Sequence, residues 1–287
     1  MADIRLIAMD MDGTLLGKTR GVIPPENLRA LQAASARGIQ LCLASGRAPD
    51  DVSFHAVDAG LDVHVIALNG GVMLDKPLGQ VVSSHFLPEA AARGIYDLIN
   101  QANLPCALFS EHTVALSCPE TYSGVPKLTW GTFMDRAGGR TLVTDDPAVL
   151  ERSLSRVSKF VVTAYTEPER LPPLKAALAL HYPEAEVSSS GEGNIEINPA
   201  GVNKGAALRS LAERLGIPMT QVMALGDHDN DVSMLAAAGY GVAMGNATPD
   251  ALAAAGYQTL PCLENGVAAA IRCLALGEEV AGVKPLR

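Results

Sequence analysis

Two aspartates stand two residues apart directly after the first apolar run of the chain, in Asp10-Met11-Asp12-Gly13-Thr14. At a strand end that spacing points both carboxylates the same way and turns Met11 into the core. Like charges about 4 Å apart repel by roughly 4 kcal/mol at an effective dielectric of 20. A divalent cation, or a proton on one carboxyl, relieves the repulsion; an Asx-type turn is the plain alternative. A second acidic group comes far along the chain, in Gly226-Asp227-His228-Asp229-Asn230-Asp231. A helix starting here would place Asp227, Asn230, Asp231 and Met234 on one face. Asp227, at a strand end, would then meet Asp10 across neighbouring strand tips, and an all-oxygen set of this kind suits Mg2+. Helix N-capping by Asp229 or Asn230 is compatible with that arrangement.

Such a site handles an anion only if positive charge comes with it. Lys204, in Asn203-Lys204-Gly205, falls in the first turn of a predicted helix, where a cation opposes the helix dipole. It is either a solvated surface lysine or a cation placed for an anion. Ser45, followed by Gly46 and Arg47, carries a hydroxyl that can donate to phosphate oxygens together with the N–H groups of its turn. Taken alone it is a helix cap. His55, His64, His85, His112 and His181 are scattered, while His228 lies inside the acidic motif and can line a site. Trp130 and Phe133 read as core packing.

Groups so far apart in sequence need a scaffold. Ile4 to Met9, Ile39 to Ala44, Val63 to Leu68, Gln221 to Leu225 and Tyr240 to Met244 are short apolar runs, as expected of strands covered on both faces. Helical stretches from Pro25, from Pro49 to Ala59, from Lys204 to Leu215, from Asn230 to Ala238 and from Pro249 to Ala255 alternate with them. That alternation predicts an α/β fold, a doubly wound and mainly parallel sheet of Rossmann-like type. Ligands of such sheets bind beyond the carboxyl ends of the strands, near a switch in strand order. There the sequence puts Asp10 to Thr14, Ser45 to Arg47, Asn69 to Gly71, and Gly226-Asp227.

Between about 84 and 189 the rhythm changes. A helix over Pro88 to Gln101, a hairpin turning at Glu111-His112, a strand over Ser158 to Tyr165, a helix over Leu171 to His181 and strands at Glu186 to Ser190 and Asn194 to Asn198 predict an antiparallel sheet with helices. The expected organisation is a core of 1–83 and 190–287 interrupted by an inserted α+β cap domain at 84–189. Residues 118–139 yield no assignment.

Composition narrows the partners. The 287 residues, 48% hydrophobic and 18% charged, can bury a large core. A net charge of −9 and no basic run argue against nucleic acid. No stretch approaches the ~18 apolar residues of a membrane helix. Five irregularly spaced cysteines read as reduced thiols, so a cytoplasmic protein is expected.

DMDGTLL, ASGR, NKG and GDHDNDVSM, in this order and with a domain-sized insertion between the second and third, resemble the motifs of haloacid dehalogenase-like phosphatases. More narrowly they resemble the Cof-type branch, which Asn69-Gly70-Gly71, Met244-Gly245-Asn246-Ala247 and Glu264-Asn265-Gly266-Val267 also fit. The resemblance implies a Mg2+-dependent phosphatase in which Asp10 is the nucleophile and Asp12 the general acid and base. It implies a metal site of the Asp10 carboxylate, the Asp12 backbone carbonyl, Asp227 and Asp231. It further implies that Ser45, Gly46, Lys204 and Asn230 hold the phosphoryl group of a small phosphorylated metabolite, with sugar phosphates foremost. Acting as an acid near neutrality would require a raised pKa at Asp12, which proximity to Asp10 would supply. A phosphomutase, and a phospho-acceptor regulatory domain from another class, share parts of this apparatus. All the groups named lie outside 84–189, so the cap is expected to govern specificity.

Overall fold

The computed structural model describes residues 3–17, 21–119, 141–189 and 193–286; Trp130 and Phe133 lie outside them. The first half supplies β1 (Leu6–Met9), β2 (Gln40–Ala44), β3 (His64–Ala67), β4 (Val72–Leu74) and β5 (Val81–Ser84). An insertion follows with β6 (Cys106–Phe109), β7 (Thr113–Ser117), β8 (Leu142–Thr144), β9 (Lys159–Thr163), β10 (Ala185–Ser188) and β11 (Asn194–Pro199). The chain then returns through β12 (Val222–Gly226), β13 (Tyr240–Ala243), β14 (Tyr257–Gln258) and β15 (Lys284–Pro285).

Among the described residues these strands form two sheets. The first runs β15-β14-β13-β12-β1-β2-β3-β4-β5, parallel from β14 to β3 and antiparallel only at its edges. All four residues of β1 are buried, because helices cover both faces. That is why the run is apolar throughout rather than alternating. From β1 the order proceeds to β2 and β3 on one side and, after the insertion, from β12 to β13 and β14 on the other. The switch in strand order therefore lies between β1 and β12.

The second sheet runs β10-β11-β9-β6-β7-β8 and is antiparallel except for the β7–β8 pair. The helix Glu89–Gln101 buries Ala92, Ile95 and Ile99 on one stripe against it. The opposite face of this sheet lays Ala107, Phe109, Val114 and Val161 onto the hydrophobic cluster of the first sheet. The inserted sheet is thus a layer lying on the core, with one face turned to the strand ends.

Two sequence expectations change, and one hairpin appears where none was assigned. The boundary expected at 189/190 falls too early, because β11 pairs with β9 and β10 in the inserted sheet. Its alternation, Asn-Ile-Glu-Ile-Asn, suits the antiparallel sheet to which the sequence assigns it, so the boundary belongs after this strand and not before it. The hairpin β4–β5 extends the parallel sheet beyond Gly71, where strands this short leave little periodic signal. The helix expected from Asn230 is a single 3-10 turn, Asp229–Asp231, followed by a helix over Val232–Ala237. The helices Leu171–His181 and Lys204–Arg214 and the 106–117 hairpin stand where the pattern places them. No helix among the described residues is long and apolar enough to cross a membrane.

Candidate active site

Adjacent parallel strands align Met9 with Leu225, so Asp10 and Asp227 leave neighbouring strand tips at the switch point. The Asp10 backbone N–H donates to Leu225 O at 3.0 Å, holding it level with the end of β12. Its side chain is buried. After Asp10 the chain turns at Gly13, whose φ of +79° favours glycine, and an added Cβ there would run into the Asp227 carboxylate. The turn brings the Thr14 hydroxyl within 2.7 Å of Asp227 Oδ1, to which it donates. Asn246 steadies the same corner, its Nδ2 donating to Gly13 O at 2.9 Å and to Asp227 Oδ2 at 3.3 Å.

Lys204 lies beneath these carboxylates and is wholly buried. Its ammonium donates to Asp10 Oδ1 at 2.6 Å and to Asp231 Oδ1 at 2.7 Å. The other Asp231 oxygen accepts the backbone N–H groups of Asp227 and His228 at 2.9 and 3.1 Å. The first-turn position therefore serves two carboxylates rather than solvent. Asn203 starts the helix by accepting Ala206 N–H at 2.9 Å. Burial alone would pull the Lys204 ammonium down, but Asp10 and Asp231 outweigh it and raise its pKa. The Asp10 carboxyl is held well above its ordinary value by burial and by Asp231, Asp227 and Asp12, with Lys204 opposing. Oxygens of Asp10, Asp227 and Asp231 all lie within 4.8 Å of one another, and all three residues are buried. Three hard oxygen donors with one ammonium among them fit Mg2+.

Asp12 departs from the expected side-by-side arrangement. The strand ends at Met9, the turn rotates the next residues, and the Asp12 side chain is 61% exposed. Two Arg47 nitrogens, Nε and Nη2, each donate to an Asp12 oxygen at 2.6 Å. Desolvation in the crevice pulls the Asp12 carboxyl up, yet the hydrogen bonds and charge of Arg47 prevail and hold it below its usual range. The raised pKa expected from proximity to Asp10 is therefore corrected. Arg47 Nη1 also donates to Asp51 at 2.9 Å.

Ser45 is buried at the end of β2, and the Arg47 backbone N–H points back to its Oγ at 3.3 Å. Across the crevice Asn230 Nδ2 donates to Asn69 Oδ1 at 3.3 Å. Asn69 in turn donates to Glu196 of β11. Beside these amides a cavity of about 210 Å3 opens between the sheets, lined by Asn69, Asn198, Asn203 and Asn230. His228 stays at the edge, its ring 3.3 Å from Ser189 O. The reading of residues alone singled out the motifs of Thr14, Arg47 and Asn246 without giving these side chains a role, and it missed Lys159 and Glu196. For the last two there was a signal, each being the single charge of its strand.

The acidic group would make the binding of a cation and the stability of the metal-free fold depend on pH in opposite senses. Burial, aided by Asp231, raises the Asp227 carboxyl from 3.8 to about 6, while Thr14 and Lys204 oppose. Between those values the native metal-free protein binds more protons than the unfolded chain. Stability contributed by Asp227 is therefore full at low pH and lost as pH rises through about 6. A cation needs the ionised carboxylate, so its stabilisation should grow over the same window. Melting curves with and without Mg2+ at pH near 5 and near 7.5 should show the wider gap at the higher pH. A gap of equal size at both would take Asp227 out of the metal set.

Residues 7–271 match the family model described as haloacid dehalogenase-like hydrolase. The 5-amino-6-(5-phospho-D-ribitylamino)uracil phosphatase YcsE of Bacillus subtilis is 32% identical over 271 residues, covering 94% of this chain and 95% of its own. The pyridoxal phosphate phosphatase YbhA of Escherichia coli is 29% identical over 85% of this chain and 88% of its own. The crystal structure of a haloacid dehalogenase-like hydrolase from Bacteroides thetaiotaomicron superposes with a TM-score of 0.78 at 26% identity, covering 94% of this chain and 99% of that one.

Proposed function

The chain belongs to the haloacid dehalogenase-like hydrolases, in their Cof-type branch, and is a phosphoric monoester hydrolase; on that premise we propose that it cleaves small phosphorylated metabolites, sugar phosphates foremost, with Mg2+ and a phospho-aspartate on Asp10. The observation that carries this reading is the convergence of buried Asp10, Asp227 and Asp231 on Lys204 at the switch point of the sheet. A carboxylate approaching an anionic phosphate needs neutralising charge. Mg2+ held by Asp10, Asp227 and Asp231 supplies it when bound, and Lys204 adds the rest.

An Asp10 oxygen attacks phosphorus as the ester P–O bond breaks, and the alcohol oxygen leaves with the electron pair and takes up a proton. Ser45, the N–H groups of its turn, Lys204 and Asn230 orient the phosphoryl oxygens, since a loose transition state asks mainly for position and charge. Asp12 is the proton donor, and its contact with Arg47 adds a condition. Its carboxyl must come away from the guanidinium to carry a proton, because Arg47 favours the ionised form. Water then attacks the phospho-aspartate with Asp12 as base, releasing phosphate and restoring Asp10. The ribityl phosphate named for the Bacillus subtilis relative supports a polyhydroxylated leaving group.

A panel of phosphate esters assayed for released inorganic phosphate tests the reading. Turnover is expected with Mg2+ and should fall by about a hundredfold or more in excess EDTA. Full turnover in EDTA would remove the metal, and transfer to a second hydroxyl without phosphate release would make the protein a mutase.

A further inference from the structure

Lys159 and Glu196 are buried charges outside the catalytic group, and both come from the inserted sheet. Register pairs Glu196 with Val161, so Lys159, two residues from Val161 along β9, is its diagonal neighbour on the same face. On the other face Ile195 and Ile197 enter the sheet's own hydrophobic cluster. A solvated ion pair could have stood anywhere; this one is turned onto the strand tips of the other sheet.

Its contacts are specific. Lys159 Nζ is 2.8 Å from Glu196 Oε1 and donates to Gly46 O at 2.7 Å. Glu196 Oε2 accepts from Asn69, which itself accepts from Asn230. The pair thus touches both loops that frame the candidate phosphoryl site. Gly46 is where this approach requires glycine. A Cβ there would lie 3.0 Å from Lys159 Nζ and from Asn69 Oδ1, and 3.3 Å from Glu196 Oε2.

An ammonium on the Gly46 carbonyl does two things to the Gly46–Arg47 peptide. It fixes the plane of that peptide, and it polarises the N–H at the other end, since hydrogen bonds in a dry setting strengthen one another along a chain. That N–H is the one aimed at Ser45 Oγ, and Arg47 is also the residue that holds Asp12. Burial draws the Lys159 ammonium down, and the neighbouring Glu196 carboxylate opposes that shift.

Resting on the phosphatase reading, we propose that Lys159 and Glu196 are positioning residues, a cap-borne ion pair that orients the Ser45–Arg47 loop and the Asn69–Asn230 contact for phosphoryl binding. The insertion then does more than select substrates. Catalytic competence depends on its seating, because the loop is set from the cap side.

The test uses the full chain and separates positioning from mere adhesion. Lys159→Met alone should lower the melting temperature by leaving Glu196 unbalanced, whereas Lys159→Met/Glu196→Met, which removes both charges, should regain it. With p-nitrophenyl phosphate as substrate and inorganic phosphate as competitive inhibitor, the stable double variant should still lose about tenfold in kcat/KM, with the phosphate inhibition constant rising by a similar factor. Recovery of kcat/KM and phosphate inhibition to within about twofold, along with stability, would reduce the pair to adhesion and overturn the proposal. If the wild type neither hydrolyses the ester nor binds phosphate, the phosphatase reading fails by itself. Amide hydrogen exchange at residues 45–48 and 69–71 then decides: faster exchange in the folded variant upholds positioning, and unchanged exchange overturns it. Should the double variant fail to fold, Glu196→Gln takes its place under the same readings.

Discussion

Asp10→Asn should bring phosphate release down by about ten-thousandfold or more while leaving the chain folded. The substitution hardly alters volume at a buried site but takes away the charge and the nucleophilic oxygen. Lys204 keeps Asp231 as a partner at 2.7 Å, so its ammonium is not stranded. The charged form of Asp10 is disfavoured in the metal-free protein, because burial and three neighbouring aspartates together outweigh the attraction of Lys204. Neutralising it should therefore leave the melting temperature without Mg2+ equal to or above that of the wild type. With Mg2+ the variant should gain less, having lost one of three carboxylates. Activity above about one per cent of wild type would end the phospho-aspartate reading, since an amide cannot form that intermediate.

Lys204→Met should have the largest combined effect on stability and activity. The ammonium is fully buried and bonded to two carboxylates, and its removal leaves Asp10, Asp227 and Asp231 facing one another with no cation. Breaking a buried pair from one side typically costs about 3–5 kcal/mol, because the surviving charge is uncompensated. Here two partners survive. Mg2+ should restore part of the lost melting temperature by taking over the neutralisation, while turnover stays down by about a thousandfold without the ammonium at the phosphoryl oxygens. Lys204→Arg should not rescue it, as the planar guanidinium is larger than the space the ammonium fills. A melting temperature within a degree or so of wild type for Lys204→Met would mean that the lysine is solvated and balances neither carboxylate.

Both variants test residues separated by long stretches of chain, and that separation marks what could be read beforehand. Asp10, Ser45 and Asp227 stand out because each follows an apolar run that can only be a doubly covered strand. In a parallel sheet the ends of such runs share one edge. The helix after Asn203 was equally plain, since its N-cap and periodicity are local. Lys204 was placed in its first turn by sequence, but local pattern favoured a solvated surface lysine over an anion ligand. Only the crossing of that helix beneath β1 and β12 buries the ammonium against Asp10, 194 residues away.

Asp12 shows the limit of local periodicity. Two-residue spacing predicts a shared direction only while the strand lasts, and β1 stops at Met9. Beyond it the turn at Gly13 sends Asp12 outward to Arg47, reversing the expected direction of its pKa shift. The second insertion boundary is a different matter. Asn194–Pro199 reads as a strand of the antiparallel sheet, and its hydrogen bonds to β9 and β10 place it there, so the insertion extends past the boundary expected at 189/190.

Sequence by itself determined the scaffold and the chemical types of the site, because hydrophobic period, glycine turns and strand-end polarity are properties of neighbours in the chain. Tertiary structure alone decided who meets whom. Strand order brings Asp10, Asp227, Asp231 and Lys204 together, and the seating of the inserted sheet puts Lys159 and Glu196 on the loop carrying Ser45. Charges in apolar strands can be seen in the sequence, but their meaning depends on the face they occupy, and that is settled by which layer packs against it.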